Sequence, residues 1–251
     1  MGRKKETPVE EVEIVEPAEK QIVEVTPEML EQISASSQQE VFSYGLGEAL
    51  LLSEIENRIF YLDDVVSQDT FREVTMFIVK ANIQDAGIPI EERMPIKLII
   101  NSPGGSVLDG LALIDAINIS KTPIFTIGMG YCMSMGFSIM CAGHVRFCLP
   151  HSSFLYHDGN TGLMDSTMKF KDAVRFYDRI DEVLDKLIAS KTKLTIKELN
   201  DRKRQENFWL ADEAKDLGVV DYIIGEDVSI EDVFCFEDDD DCDCECCSCD
   251  S

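Results

Sequence analysis

Long apolar runs and a basic patch are missing from this 251-residue chain, and a secretory leader is not expected. Each absence removes a class of function. No run of 18 apolar residues occurs, so no transmembrane helix and no membrane partner are expected. Arg3-Lys4-Lys5 looks like the basic start of a signal peptide, but Glu10-Glu11-Val12-Glu13 stands where its apolar segment should be. Gly2 is followed at position 6 by Glu, where a myristoylation site wants Ser or Thr. A cytoplasmic protein is the expectation. No basic patch offsets the net charge of −25, which argues against nucleic acid as a partner. No repeat of fixed period is visible.

The charge that is present sits mostly at the ends. Residues 1–40 hold ten acids and four bases, and residues 226–251 hold twelve acids and no base. The stretch 41–225 carries only −7 and is the expected folded part. The chain divides on this reading into a disordered acidic extension over 1–43, one domain over 44–225 and a disordered acidic, Cys-rich tail over 226–251. A short helix over Pro27–Ser34 would be the one ordered piece of the extension. Six of the nine cysteines fall in the tail, while Cys132, Cys141 and Cys148 lie in apolar segments and read as small buried hydrophobes. With no secretory signal, a disulfide framework is not expected. The tail segment Asp238–Cys249 has Cys-X-Cys spacing that could clamp a soft metal or respond to redox state. No histidine or second Cys pair stands near to complete a zinc fold, so a solvated tail is the simpler reading.

Between the tails, strand and helix patterns alternate, which makes the class α/β. A weak helical pattern over 47–56 precedes a strand at Arg58–Leu62. Apolar residues at Phe71, Val74, Phe77, Ile78 and Ala81 predict a helix capped by Ser67 or Asp69. Residues 83–95 read as a loop. A strand at 96–100 then runs into the turn Ser102-Pro103-Gly104-Gly105, a helix at 107–119 and a strand at 123–128. A glycine-bearing turn is expected after Gly128, then an apolar helix from near Met133 to Gly143. Further strands are expected at 145–149, 153–157 and 219–224. Helices are expected at 165–190, 195–202, with Thr195 as cap, and 211–217.

Residues 101–136 concentrate the chemistry. Ser134 stands at the start of an apolar helix, where free N–H groups and the helix dipole favour developing negative charge. The N–H of Met135 would face a forming oxyanion, and Gly105 could supply a second donor. A plain helix cap is the alternative role for Ser134. Among the three histidines, His157 ends an apolar strand, a common place to present a base, whereas His144 and His151 read as loop residues. Cys132 is a conceivable nucleophile, but it precedes the helix start.

Asn101-Ser102-Pro103-Gly104-Gly105-Ser106, Met133-Ser134-Met135-Gly136, Ala142-Gly143, Leu149-Pro150 with Phe154-Leu155-Tyr156-His157, and Phe208-Trp209-Leu210-Ala211-Asp212-Glu213-Ala214 leading to Gly218-Val219-Val220-Asp221 occur in one order. In that order and spacing the chain resembles the ClpP serine peptidases over about residues 56–225. The resemblance implies a ClpP/crotonase-like spiral of ββα units. It implies Ser134 as nucleophile, His157 as general base, and the N–H groups of Gly105 and Met135 as oxyanion hole. Gly104, Ser106 and Val107 would wall the substrate groove. The family's third member is an aspartate two residues before the aromatic of the Phe208 block, and here that position is Glu206. A glutamate can orient an imidazole as an aspartate does. Asp158, which replaces a Gln often found after the family histidine, is the poorer orienter if the strand persists, since adjacent side chains then face opposite ways.

The implied activity is endopeptidase cleavage of unfolded polypeptides or short peptides through an acyl-enzyme, with no metal or organic cofactor. The implied assembly is two stacked heptameric rings fed by an AAA+ unfoldase of ClpX or ClpA type. The long helix matching Asp165–Ser190 would form the handle between the rings. The family's axial N-terminal loop has no clear match here. A catalytically silent ring subunit acting as scaffold or regulator is the alternative, motivated by Glu206 and the altered tails. An acyl-CoA enzyme of crotonase type would leave the Ser134–His157 pair a coincidence. A Ser–Lys peptidase would need a lysine base better placed than His157.

Overall fold

The computed structural model describes residues 53–159 and 167–234. The expected helix at 27–34, most of the one at 47–56, the first two residues of the one at 165–190 and the cysteines of the tail lie outside the described residues. Seven strands form one sheet: β1 (Ile59–Leu62), β2 (Ile96–Ser102), β3 (Ile124–Met133), β4 (Val145–Cys148), β5 (Ser153–Tyr156), β6 (Asn207–Leu210) and β7 (Tyr222–Ile223). The helices are α1 (Gln68–Gln84), α2 (Val107–Ile119), α3 (Met135–Ala142), α4 (Thr167–Lys191), α5 (Ile196–Arg202), α6 (Ala211–Asp216) and α7 (Ile230–Phe234). Strands β1-β2-β3-β4-β7 pair in that order, all parallel. This is the α/β class that the alternating pattern pointed to, with parallel strands joined through helices.

Strand β3 departs from the sequence expectation. It does not turn at Gly128 but continues to Met133. Its first half pairs with β4 and its last three residues pair with β5. The change of partner falls at Gly130, whose φ is +96°, and there Asn101 Oδ1 accepts the Tyr131 N–H at 3.2 Å. A glycine permits that backbone, and the borrowed side-chain oxygen satisfies the N–H released by the break in pairing. The extension delivers Ser134 directly off a strand end. β6, which the sequence reading did not identify, pairs antiparallel with β5.

The principal core lies between the sheet and α1, α2 and α3, with Leu98, Ile100, Ile114, Phe137 and Phe154 all buried. Ile99, one position out of phase on β2, faces a second cluster with Ile127, Phe147, Ile224 and Val233. Val233 comes from α7, inside the stretch 226–251 read from composition as a tail. Acids at Glu231 and Asp232 mask this helix in the sequence. They sit in its first turn, where the dipole favours them.

Ser67 caps α1 through a reciprocal box with Thr70, and Thr195 does the same for α5 with Glu198. At the end of α1, Asp85 accepts both guanidinium nitrogens of Arg58, at 2.6 and 2.7 Å, and the Thr122 hydroxyl at 2.6 Å. Its side chain is 2% exposed. The Arg58 hydrogen bonds hold the Asp85 pKa below the carboxylate norm against its burial. A depressed folded pKa adds stability that is full above the unfolded value, about 3.9, and is lost as the pH falls through the folded one. Asp85→Asn is expected to cost about 3–5 kcal/mol at pH 7 by stranding the Arg58 charge. Denaturant titrations should show the gap to the parent closing below about pH 4. An equal gap at pH 7 and pH 3 would refute the pairing as its source.

Candidate active site

Ser134 connects β3 to α3 with φ +54° and ψ −118°. A β-carbon makes this region costly, so the surrounding structure must hold it. The Ser134 N–H donates to the Leu155 carbonyl of β5 at 2.9 Å, and Ser138 N–H returns to the Ser134 carbonyl at 3.3 Å. A helix-capping serine would have extended backbone and a side chain bonded to an N–H of the first turn. Ser134 has neither. Its strained strand-to-helix backbone instead matches the conformation that exposes a hydroxyl at a sharp turn.

The Pro103-Gly104-Gly105 turn abuts this residue. A β-carbon at Gly104, φ +90°, would lie 2.6 Å from the Met133 carbonyl oxygen and 2.8 Å from both Met135 N and Ser134 Cβ. Gly105 forms a parallel bridge with Val66: Val66 N–H donates to Gly104 O at 2.8 Å, and Ser106 N–H donates to Val66 O at 2.7 Å. In a parallel bridge this leaves the Gly105 N–H facing away from Val66. Met135 is the first residue of α3, so its N–H lacks an intrahelical acceptor. Ser106 caps α2 by accepting the Asp109 N–H, and Val107 lines the cavity beside Ser134.

That cavity brings Ser134, His157, Asp158, Asp181, Asp185 and Lys203 together. β5 ends at Tyr156, so the alternation expected to separate His157 from Asp158 does not continue, and both line the cavity. Among the described residues no hydrogen bond joins His157 to Ser134 or to a carboxylate. Glu206 is exposed and is not part of the cavity lining. The β5–β6 ladder runs Phe154–Trp209, Leu155–Phe208 and Tyr156–Asn207 and ends there, so His157 and Glu206 each stand one residue beyond its last pair, outside both strands.

Asp181, Asp185 and Lys203 were not marked by the sequence. Asp185 falls three residues before buried Ile188, on the inner face of α4, which is the one signal a helical reading offers. Burial raises the Asp181 pKa, and the carboxylates of Asp158, Asp185 and Asp178 add to the rise against the pull of Lys203. The other histidines stand apart. His144 Nδ1 accepts the Ile124 N–H at 2.9 Å, and burial then Lys191 lower its pKa. His151 is exposed. The three described cysteines are free and buried, and burial pushes the Cys132 thiol upward, away from the nucleophilic thiolate.

A serine hydroxyl at a strained turn, an imidazole on the same cavity wall and backbone N–H groups on two adjoining turns form an arrangement able to transfer acyl groups. A sequence model of the Clp protease family matches residues 50–227. The chain is 29% identical over 182 residues to ATP-dependent Clp protease proteolytic subunit 2 of Corynebacterium glutamicum, spanning 72% of this chain and 88% of that one. It is 29% identical over 136 residues to ATP-dependent Clp protease proteolytic subunit 3 of Rhodococcus jostii, spanning 53% of this chain and 67% of that one.

Proposed function

The chain belongs to the Clp protease family as a ClpP-like peptidase, and from that premise we propose that it is a serine endopeptidase acting on unfolded polypeptides or short peptides. The observation that carries the reading is Ser134 itself: a non-glycine residue at φ +54° between β3 and α3, without a capping bond. In the proposed cycle His157 takes the Ser134 proton as the hydroxyl attacks a peptide carbonyl. The oxyanion is received by the N–H groups of Met135 and Gly105. His157 protonates the leaving amine, and water then repeats the sequence on the acyl-enzyme. Glu206 orients His157. Gly104, Ser106 and Val107 form one wall of an extended-substrate groove, where the peptide adds to exposed backbone.

The proposal extends to assembly. The chain forms two stacked heptameric rings and receives substrate from an AAA+ unfoldase of ClpX or ClpA type. Among the described residues no helix is long and apolar enough to cross a membrane. Met168, Phe170, Val174 and Phe176 of α4 are exposed, which suits a helix that meets another subunit. The peptidase domain is proposed as residues 44–225, joined by α7 (Ile230–Phe234), with acidic segments on either side, and a cytoplasmic location goes with this reading.

A fluorophosphonate probe tests the chemistry. It is expected to add one phosphonyl group per chain, placed at Ser134 by peptide mass spectrometry, in a species that mass photometry sizes at fourteen subunits. Rings that form without labelling would identify a silent scaffold or regulator. Gly104→Ala supplies a finer check. Its β-carbon would intrude on Ser134 and Met135 N–H, so the labelling rate should fall about 10²–10³-fold, the effect of losing one oxyanion donor. Parental labelling of this variant would remove the turn from the site.

A further inference from the structure

Tyr156 and Asn207 form the last pair of the β5–β6 ladder, and His157 and Glu206 are the next residues along the two segments beyond it. Both members are held. Asn207 Nδ2 reaches the carbonyls of Tyr156 at 3.1 Å, Arg202 at 2.8 Å and Gln205 at 2.9 Å. The Tyr156 hydroxyl donates to Asp185 Oδ1 at 3.0 Å, and Lys203 Nζ reaches Asp185 Oδ2 at 2.9 Å. Asp185 is 4% exposed and lies on α4, far in sequence from both partners. The Tyr156 ring packs 5.8 Å from Phe137 of α3, the helix that begins after Ser134. Tyr156, Asp185 and Lys203 all line the cavity that contains Ser134 and His157.

We propose that Asp185 is a positioning residue for the peptidase reaction, clamping the strand that presents His157, through Tyr156, to the turn that presents Glu206, through Lys203. This rests on the serine-peptidase reading above. Lys203 lies three residues before Glu206, between α5 and β6, so the Asp185 carboxylate spans the two segments that must meet for His157 to be oriented. An ionised carboxylate held by a phenol and an ammonium is a short, directional link. Burial and the adjoining Asp185 charge raise the Tyr156 pKa, keeping the phenol protonated as donor. A displacement of an ångström at the reacting groups can cost about 10²-fold in rate. The clamp therefore acts on kcat and leaves substrate affinity alone.

The test compares the parent with Tyr156→Phe, Lys203→Arg and the double variant Asp185→Asn/Lys203→Met, which removes both charges and strands neither. Steady-state cleavage of a fluorogenic peptide, fluorophosphonate labelling rate and Tm are measured for each. Tyr156→Phe should lose about tenfold in kcat and in labelling rate at unchanged KM, a partial misplacement, with Tm lowered by only a few degrees. The double variant should lose at least as much, and Lys203→Arg, which keeps the ion pair, should stay near the parent. Parental kcat in both Tyr156→Phe and the double variant overturns the clamp. So does a loss of kcat that tracks Tm across all three variants, since that marks a purely structural pair. A parent that neither labels nor cleaves overturns the peptidase reading, and the clamp falls with it. A parent that cleaves while the variants match it removes the clamp alone.

Discussion

Ser134→Ala is expected to abolish fluorophosphonate labelling and to lower peptide turnover by about 10⁵–10⁶-fold while leaving folding and ring assembly intact. The size follows from how the parts depend on one another. Removing the nucleophile of a serine protease leaves the base and its orienting acid with no proton to manage, and costs about 2 × 10⁶ in kcat in a well-measured case. What survives is the contribution of substrate binding and the oxyanion donors to attack by water. Folding should be spared because the Ser134 side chain makes no capping bond, and the contacts that fix the turn are backbone ones. The variant still has a β-carbon at φ +54°, so the strain is unchanged. Cys132→Ala serves as the control. Its thiol is fully buried and donates weakly to the Ile100 carbonyl at 3.5 Å, so turnover should stay near the parent. Undiminished labelling of Ser134→Ala would end the proposed mechanism, and loss of labelling in Cys132→Ala would point to the thiol.

Much of this arrangement was legible in the sequence for physical reasons that can be named. Gly104 and Gly105 announce a turn because only glycine fits there: a β-carbon at the first would lie 2.6 Å from Met133 O, and one at the second 2.3 Å from Val66 O. Ser67 and Thr195 are legible as caps because capping is local. The extension of β3 was not. Gly128 and Gly130 look like turn residues, but Gly128 pairs with β2 and β4, and just beyond Gly130 β5 arrives as a new partner, with Asn101 filling the gap. The helix α7 was hidden by its acids, although buried Val233 needs it as a carrier.

The same division runs through the site. Ser134 could be suspected from sequence because a strand-turn-helix pattern is local, but its φ, which separates it from a cap, appears only in three dimensions. The alternation argument about Asp158 does not apply, because it assumed that the strand runs on past Tyr156, where β5 ends. Asp185 and Lys203 lie 18 residues apart and meet Tyr156 only because α4 and α5 fold back over β5. No spacing rule connects such a set. Long-range polar contacts of this kind are where a sequence reading stops and where packing decides.

The weakest link in the proposed triad makes the second large prediction. Glu206→Ala is expected to lower kcat about 10⁴-fold, the size seen when a triad carboxylate is removed or neutralised. Glu206→Gln should lose nearly as much, because an amide no longer fixes the imidazole tautomer or stabilises its charged form. The basis is that residues 157 and 206 each stand one place beyond the last pair of the β5–β6 ladder, Tyr156–Asn207. A glutamate is one methylene longer than an aspartate, and Glu206 is exposed with no recorded hydrogen bond to His157. In free enzymes such contacts are often long and tighten only when substrate binds. Glu206→Asp is therefore the informative change. If reach is the only difference, the aspartate should keep turnover within about tenfold of the parent. Asp158 is the rival, since it lines the cavity beside His157. Asp158→Asn should leave kcat within a fewfold of the parent, because the Asp158 carboxylate acts within a cluster with Asp181, whose pKa it raises, and among the described residues no hydrogen bond joins it to the imidazole. A kcat that survives Glu206→Ala but collapses in Asp158→Asn would transfer the orienting role to the neighbour of His157. That outcome would leave the nucleophile and base in place and reverse the proposed assignment.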